Sequence, residues 1–257
     1  MICDVGCFLG AWPFRSLPSS GPRGLKAMAR KQGVTCVAVS AFEEVFHEDA
    51  FRATARLTGR LASLPMARQF QVVNPLFPGW QRDLERGVRE LGIRGVRLTP
   101  GYHGYALTDP AVQALADAAR EFQLPVAIHA RLQDERMHWI SRFPPVPVKE
   151  AGEFLAKTPG LRVALLGFEV GEAGSISAII KDRPAAWVDW SRLRCMLWGL
   201  DRLLEQIPAE RILYGSLWPL QTPSAMLNLA KVARIGEAAR KRILWTNGIR
   251  FLTGRGR

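Results

Sequence analysis

Short apolar runs alternate with longer amphipathic stretches along the whole chain. Residues 2–8, 35–40, 70–74, 95–98, 125–129, 162–166, 186–189 and 212–214 are brief and mostly apolar. Apolar runs of this length, bounded by turn signals, predict buried strands. Between them, helical patterns cover 22–32, 49–57, 81–91, 109–121, 149–157, 175–181, 193–206 and 224–232. Two short helices, 237–244 and 248–252, end the chain. Thr108-Asp109-Pro110 marks one helix start well, because a capping carboxylate precedes a proline in the first turn.

Eight strands alternating with helices imply parallel pairing through right-handed crossovers. Eight such units in 257 residues fit an α/β protein, a closed (β/α)8 TIM barrel in one domain spanning 1–257. An open doubly wound sheet is the alternative. The glycine-rich phosphate loop of that architecture is missing from the sequence. The proline-rich stretch 143–147 is too short for an interdomain linker and reads as a loop entering a helix.

Composition narrows the class. A 48% hydrophobic content supplies a large core, and no apolar run reaches the length of a membrane span. The first residues read as a strand and not as a signal peptide. Cys3, Cys7, Cys36 and Cys195 lack metal-ligand spacing, so a reduced, cytoplasmic protein is the expectation. The net charge of +12 raises an anionic partner, nucleic acid included. Yet the basic residues are mostly scattered Arg, with mild clusters at 238–242 and 254–257. Nucleic acid is therefore not the expected partner, and a basic protein binding some anionic partner stays an alternative.

His129 is the candidate for chemistry. It ends the run Leu124-Pro125-Val126-Ala127-Ile128-His129, which puts an imidazole at a strand's C-terminal end. In a parallel barrel that end is the mouth, where catalytic groups sit. The other three His (His47, His103 and His138) do not end strands in this way.

Several segments together resemble the amidohydrolase-related family of TIM-barrel hydrolases, in the branch with metal-dependent decarboxylases and lactonases. They are 92–98, 124–129, Glu210-Arg211-Ile212-Leu213-Tyr214-Gly215-Ser216-Leu217-Trp218-Pro219, and Ile243-Leu244-Trp245-Thr246-Asn247-Gly248. The order is right and nearly the whole chain is covered. The resemblance implies one or two divalent metals held by a His-x-His pair on strand 1, a His on each of strands 5 and 6, and an Asp on strand 8. Such donors suit zinc-like ions, which acidify bound water. Carried over by position, the ligand places are Gly6, Phe8, His129, Gly167 or a near neighbour, and Leu217, so only His129 retains a donor. A degenerate metal site, with no metal or other cofactor, is the expectation. A site rebuilt from Asp4, His129 and Glu169 is the alternative.

The strand ends then place Asn74, Arg97, His129, Arg131, Glu169, Asp189, Ser191 and Ser216 near the mouth. Catalytic candidates are His129 and Glu169. His129 is either a general acid or base, or a core histidine bonded to a neighbour. Glu169 and Glu172 are a base, or carboxylates solvated or paired with Arg. Candidates for holding a small polar or acidic ligand are Arg97, Asn74, Arg131 and Trp218. Arg97 either forks onto an anion or pairs with Glu169 or Asp4. Alternation along the strand points Cys7 away from the barrel axis. Trp12, Trp139, Trp190 and Trp218 are expected to flank the mouth, and Trp80, Trp187, Trp198 and Trp245 to pack helices and shell. Segment 10–15 closes the pocket or makes a homodimer contact.

The sequence thus predicts an amidohydrolase-like barrel without metal-dependent hydrolysis, a possible pseudoenzyme binding a small polar or acidic ligand. The alternative is a metal-independent hydrolase or lactonase acting on a small carboxylate substrate. Its base would be His129, Glu169 or Asp189.

Overall fold

Seven parallel strands lie side by side in chain order. They are β1 (Ile2–Leu9), β2 (Val34–Ala41), β3 (Ala67–Val72), β4 (Gly95–Leu98), β5 (Val126–His129), β6 (Val163–Leu166) and β7 (Ala186–Val188). The computed structural model describes residues 1–46, 49–133, 143–192 and 198–255.

The ring closes through the segment read as an eighth strand. Val188 bridges Ile212 in parallel. Leu213 N donates to Val188 O at 2.9 Å, Val5 N to Tyr214 O at 3.0 Å, and Phe8 N to Trp218 O at 2.8 Å. The eighth strand is thus a single bridge with flanking hydrogen bonds, shorter than expected; beyond it Ser216 N donates to the Asp4 carboxylate and not to a main-chain carbonyl. The result is the (β/α)8 TIM barrel.

Helices α1 (Pro22–Gln32), α2 (Glu43–Phe46), α3 (Ala50–Leu61), α4 (Trp80–Leu91), α5 (Pro100–His103), α6 (Pro110–Glu121) and α7 (Val148–Lys157) follow strands β1 to β5. Then come α8 (Val170–Ser175), α9 (Ser177–Asp182), α10 (Gly199–Gln206), α11 (Pro223–Val232), α12 (Glu237–Lys241) and α13 (Asn247–Thr253). Asp109 caps α6 as its sequence predicts, accepting from Ala111 N at 2.8 Å. The helix predicted over 175–181 breaks at Ile176 into α8 and α9. The first residues of the predicted helix 193–206, up to 197, lie outside the described residues. Short α2 and α5 at the mouth were not predicted, since four residues carry no readable period.

Apolar residues fill both sides of the barrel wall. Outside it, the helices bury a continuous layer that includes Val96, Val126, Val163, Val188 and Ile212. Inside, Val5, Ala38, Phe70, Ala127, Ala164, Trp187 and Leu213 form the filling, and Phe251 of α13 plugs the N-terminal end. Trp187 therefore lies in the barrel interior, against Phe251 at 5.9 Å between ring centroids, and not in the shell. Asn247 pins this closing helix by donating to Ala209 O and Ile212 O, each at 2.7 Å. No helix of the described residues is long and apolar enough to cross a membrane.

Candidate functional site

The alternation of β4 turns Arg97 inward, between outward Val96 and Leu98. Arg97 is fully buried, and its charge is met by dipoles. Its Nη1 lies 2.9 Å from His129 Nε2, and its Nη2 donates to Val5 O at 3.0 Å and to Ala38 O at 3.4 Å. The guanidinium also lies 4.4 Å from the Phe8 ring centroid and 5.8 Å from that of Phe70, a favourable cation–π stack. Burial lowers the Arg97 pKa to about 10, so it stays a cation. Its partners are an imidazole and main-chain carbonyls, and neither Glu169 nor Asp4 pairs with it.

His129 ends β5 and is buried. Burial, then the charge of Arg97, holds its pKa well below the usual imidazole value. Its Nδ1 has no partner among the described residues.

Above this pair lies an apolar cap. Phe8 stacks on Phe42 with centroids 4.7 Å apart and rings 2° from parallel. Phe8 also lies 5.3 Å from the His129 ring. Trp12, Val72, Leu132, Leu217 and Leu220 complete the same buried cluster. Trp12 of segment 10–15 packs on Phe42 and Phe46, so this segment folds over the mouth within its own chain.

Two glycines at ligand places have tight surroundings. A Cβ on Gly6 would stand 3.1 Å from Gly215 Cα and 3.2 Å from Leu217 N. Gly167 has φ +73° and would meet Arg131 O at 2.9 Å. The first is a close strand approach, and the second is a left-handed residue favouring glycine.

Acidic groups sit around the ring. Asp4 Oδ1 accepts from Gly6 N at 3.0 Å and Ser216 N at 2.9 Å, while its Oδ2 is unpartnered among the described residues. This carboxylate clasps the irregular register of β1 to the closing segment. Asp189 Oδ1 accepts from Gly167 N at 2.8 Å, and burial pushes its pKa to about 7. Glu44 of α2 is buried, accepts from Ala41 N at 2.9 Å and from Thr54 Oγ1, and is pushed up by burial to about 8. Sequence reasoning passed over Glu44. Which of Glu43 and Glu44 turns inward depends on how a four-residue helix docks.

The remaining expected site residues make contacts within the chain. Arg131 forms a two-pronged pair with Glu172 at 2.8 and 2.7 Å and donates to Gly167 O at 3.0 Å. Glu169 caps α8 and pairs with Arg192 at 3.4 Å. Asn74 Oδ1 accepts from Leu76 N at 3.0 Å in the turn after β3. Trp218 packs with Cys7, Leu9 and Leu25 on the outer side of β1. Cys7 indeed points there, with Ser216 Oγ 3.7 Å away. His103 is bonded to Val45 O at 3.1 Å, away from His129. His47, His138 and Trp139 lie outside the described residues. Among the described residues, no three His, Cys, Asp or Glu side chains gather as a metal-binding group.

The family model described as Amidohydrolase matches residues 15–253. The sequence has no significant match among curated proteins. The fold is similar to that of a dihydroxybenzoic acid decarboxylase from a Polaromonas species, solved with manganese and the inhibitor 2-nitroresorcinol. The TM-score is 0.74 at 18% identity, covering 99% of this chain and 98% of that one. It is also similar to a 2,6-dihydroxybenzoate decarboxylase from Rhizobium, at TM-score 0.68 and 17% identity over 100% of each chain. A third similar structure, from Acinetobacter baumannii with citric acid bound, is described as a probable 2-pyrone-4,6-dicarboxylic acid hydrolase. It aligns at TM-score 0.64 and 13% identity over 99% of each chain. At these identities the likeness carries the fold.

Proposed function

Since the chain belongs to the amidohydrolase family, we propose that it is a non-catalytic member in which an internal cation has replaced metal chemistry. The Arg97–His129 contact carries this reading. The one imidazole left in the expected ligand set already accepts a hydrogen bond from a guanidinium, 2.9 Å from Nε2. A divalent ion at that nitrogen would face a fixed positive charge, with no second donor at Gly6, Phe8, Gly167 or Leu217. The Phe8 ring takes up space beside the same imidazole. The residues present do not fit a resident divalent metal.

The test is metal content. Protein purified without chelator, and protein dialysed against manganese or zinc, is compared with His129→Ala. Substoichiometric metal in both, unchanged by the substitution, is the expected result. One equivalent bound by the wild type and lost in His129→Ala would overturn the reading.

A second reading, a metal-independent hydrolase of small carboxylate esters or lactones, is favoured by one observation. Asp189 is a buried carboxyl beside the strand ends whose pKa of about 7 suits proton transfer near neutrality. His129 is a poor base, with Nε2 engaged and the ring hard to protonate. Glu169 is committed to capping. Lactones and small esters incubated with wild type and Asp189→Asn separate the readings. Turnover abolished by the substitution, with the fold intact by circular dichroism, supports the second.

A further inference from the structure

The N-terminal end of the barrel holds two thiols that take no part at the mouth. Cys3 of β1 and Cys36 of β2 are register partners across neighbouring parallel strands. Both point into the same interior cluster as Val5, Ala38, Trp187 and Phe251, and both are free. Strand neighbours lie about 4.8 Å apart, within the roughly 4.4–6.8 Å Cα separation that a disulfide bridges.

The two sulfurs are not equivalent. A hydrogen bond from Cys3 and the nearby Arg68 guanidinium hold the Cys36 thiol below its ordinary value. Acting as donor to Cys36, and fully buried, Cys3 is pushed up. Cys36 is 6% exposed. Ala67, which pairs with Val37 on the neighbouring strand, and Arg68 line a surface cleft with Leu252 and Thr253; neither cysteine lines it. Gly248 of α13 packs on Cys3, since a Cβ there would stand 2.7 Å from Cys3 Sγ.

We propose that Cys3 and Cys36 form a redox modification site, a dithiol that closes to a disulfide when a small peroxide reaches the slightly exposed Cys36. The Cys36 thiolate attacks one peroxide oxygen and the O–O bond breaks. The second oxygen leaves as water after taking a proton, and Cys36 becomes a sulfenic acid. The Cys3 sulfur then attacks the Cys36 sulfur. The S–S bond forms, the S–O bond breaks, and the leaving hydroxide takes the Cys3 proton as a second water. Two thiols give up two electrons, and the peroxide accepts both. Because Gly248 rests on Cys3 Sγ, the closing helix α13 lies in direct contact with the sulfur that moves.

The experiment exposes the full reduced chain to hydrogen peroxide, removes the oxidant with catalase, and denatures it in N-ethylmaleimide. Peptides are then mapped without reduction. The expected map contains a linked Cys3–Cys36 pair lacking two hydrogens, with neither thiol labelled, and dithiothreitol restores labelling of both. Cys36→Ser is expected to abolish the link and leave Cys3 labelled, while Cys7→Ser keeps it. The wild-type map needs no variant to fold. Labelled Cys3 and Cys36 after peroxide treatment, a link from either to Cys7 or Cys195, or sulfinic acid on Cys36 without a link would each overturn the proposal.

Discussion

Arg97 Nη1 and His129 Nε2 meet 2.9 Å apart inside the barrel, on neighbouring strands. Arginine has no lone pair to offer, so it donates and Nε2 accepts. The ring proton therefore belongs on Nδ1, and the ring is neutral. Nitrogen-15 NMR of the imidazole is expected to report an unprotonated Nε2 across the neutral range, with no titration around the usual histidine pKa. A midpoint there would contradict the contact.

The same pair predicts energetic coupling. Arg97→Met leaves Val5 O and Ala38 O buried without this donor, at about 1–3 kcal/mol for each acceptor left unpaired. His129→Ala strands Nη1 instead. Urea unfolding of both single variants and the double variant is expected to give an interaction energy of roughly 0.5–3 kcal/mol.

Phe8 lies between the stacked ring of Phe42 and the Arg97 cation. Phe8→Ala removes a buried ring and exposes the cation to a void, so a loss of about 3–5 kcal/mol is expected. Leu is the milder control, because it retains most of the volume. Denaturant midpoints at equal m-values check the difference.

Stability should fall as pH rises through neutrality. Glu44 is raised to about 8 and Asp189 to about 7, so the fold keeps protons that the unfolded chain releases at ordinary carboxylate values. The penalty grows by about 1.4 kcal/mol per pH unit per group and levels off above each folded pKa. His129 acts in the opposite direction only below its ordinary value, where the unfolded chain takes up a proton that the fold refuses. Glu44→Gln is expected to flatten the loss between about pH 6.5 and 8. A slope unchanged from wild type would show that Glu44 is ionised in the fold.

At position 6 the space between β1 and the closing segment is tighter than an ordinary side-chain contact. Gly6→Ala would press Cβ onto Gly215 Cα and Leu217 N, and an overpacked site of this kind costs about 1–3 kcal/mol. Thermal melts of Gly6→Ala and of the exposed control Gly236→Ala, whose added Cβ meets nothing within 4 Å, measure the difference.

Much of the barrel was legible in the chain. The alternation of short apolar runs with amphipathic stretches locates seven strands and the segment that closes the ring. The run ending in His129 puts the imidazole at the strand end where it stands. Ile212 and Asn247 lie in segments that carried the family resemblance, and the structure joins them by a hydrogen bond. The expected donor at each ligand place could be checked against one residue at a time, which is why Gly6, Phe8, Gly167 and Leu217 stood out before any geometry was known.

Local pattern alone determined which faces are buried and in what order strands follow, because periods of two and 3.6 residues are properties of neighbouring positions. What only the tertiary structure decided is what each buried polar group meets. Arg97 finds an imidazole 32 residues away and two carbonyls from strands that precede it, and not the carboxylates its charge suggested. Cys3 faces Cys36 because β1 and β2 settle in one register. Glu44 turns inward because a four-residue helix docks that way. These partners come from barrel closure and inter-strand register, which the whole chain sets by burying its apolar surface and which no short stretch of sequence encodes.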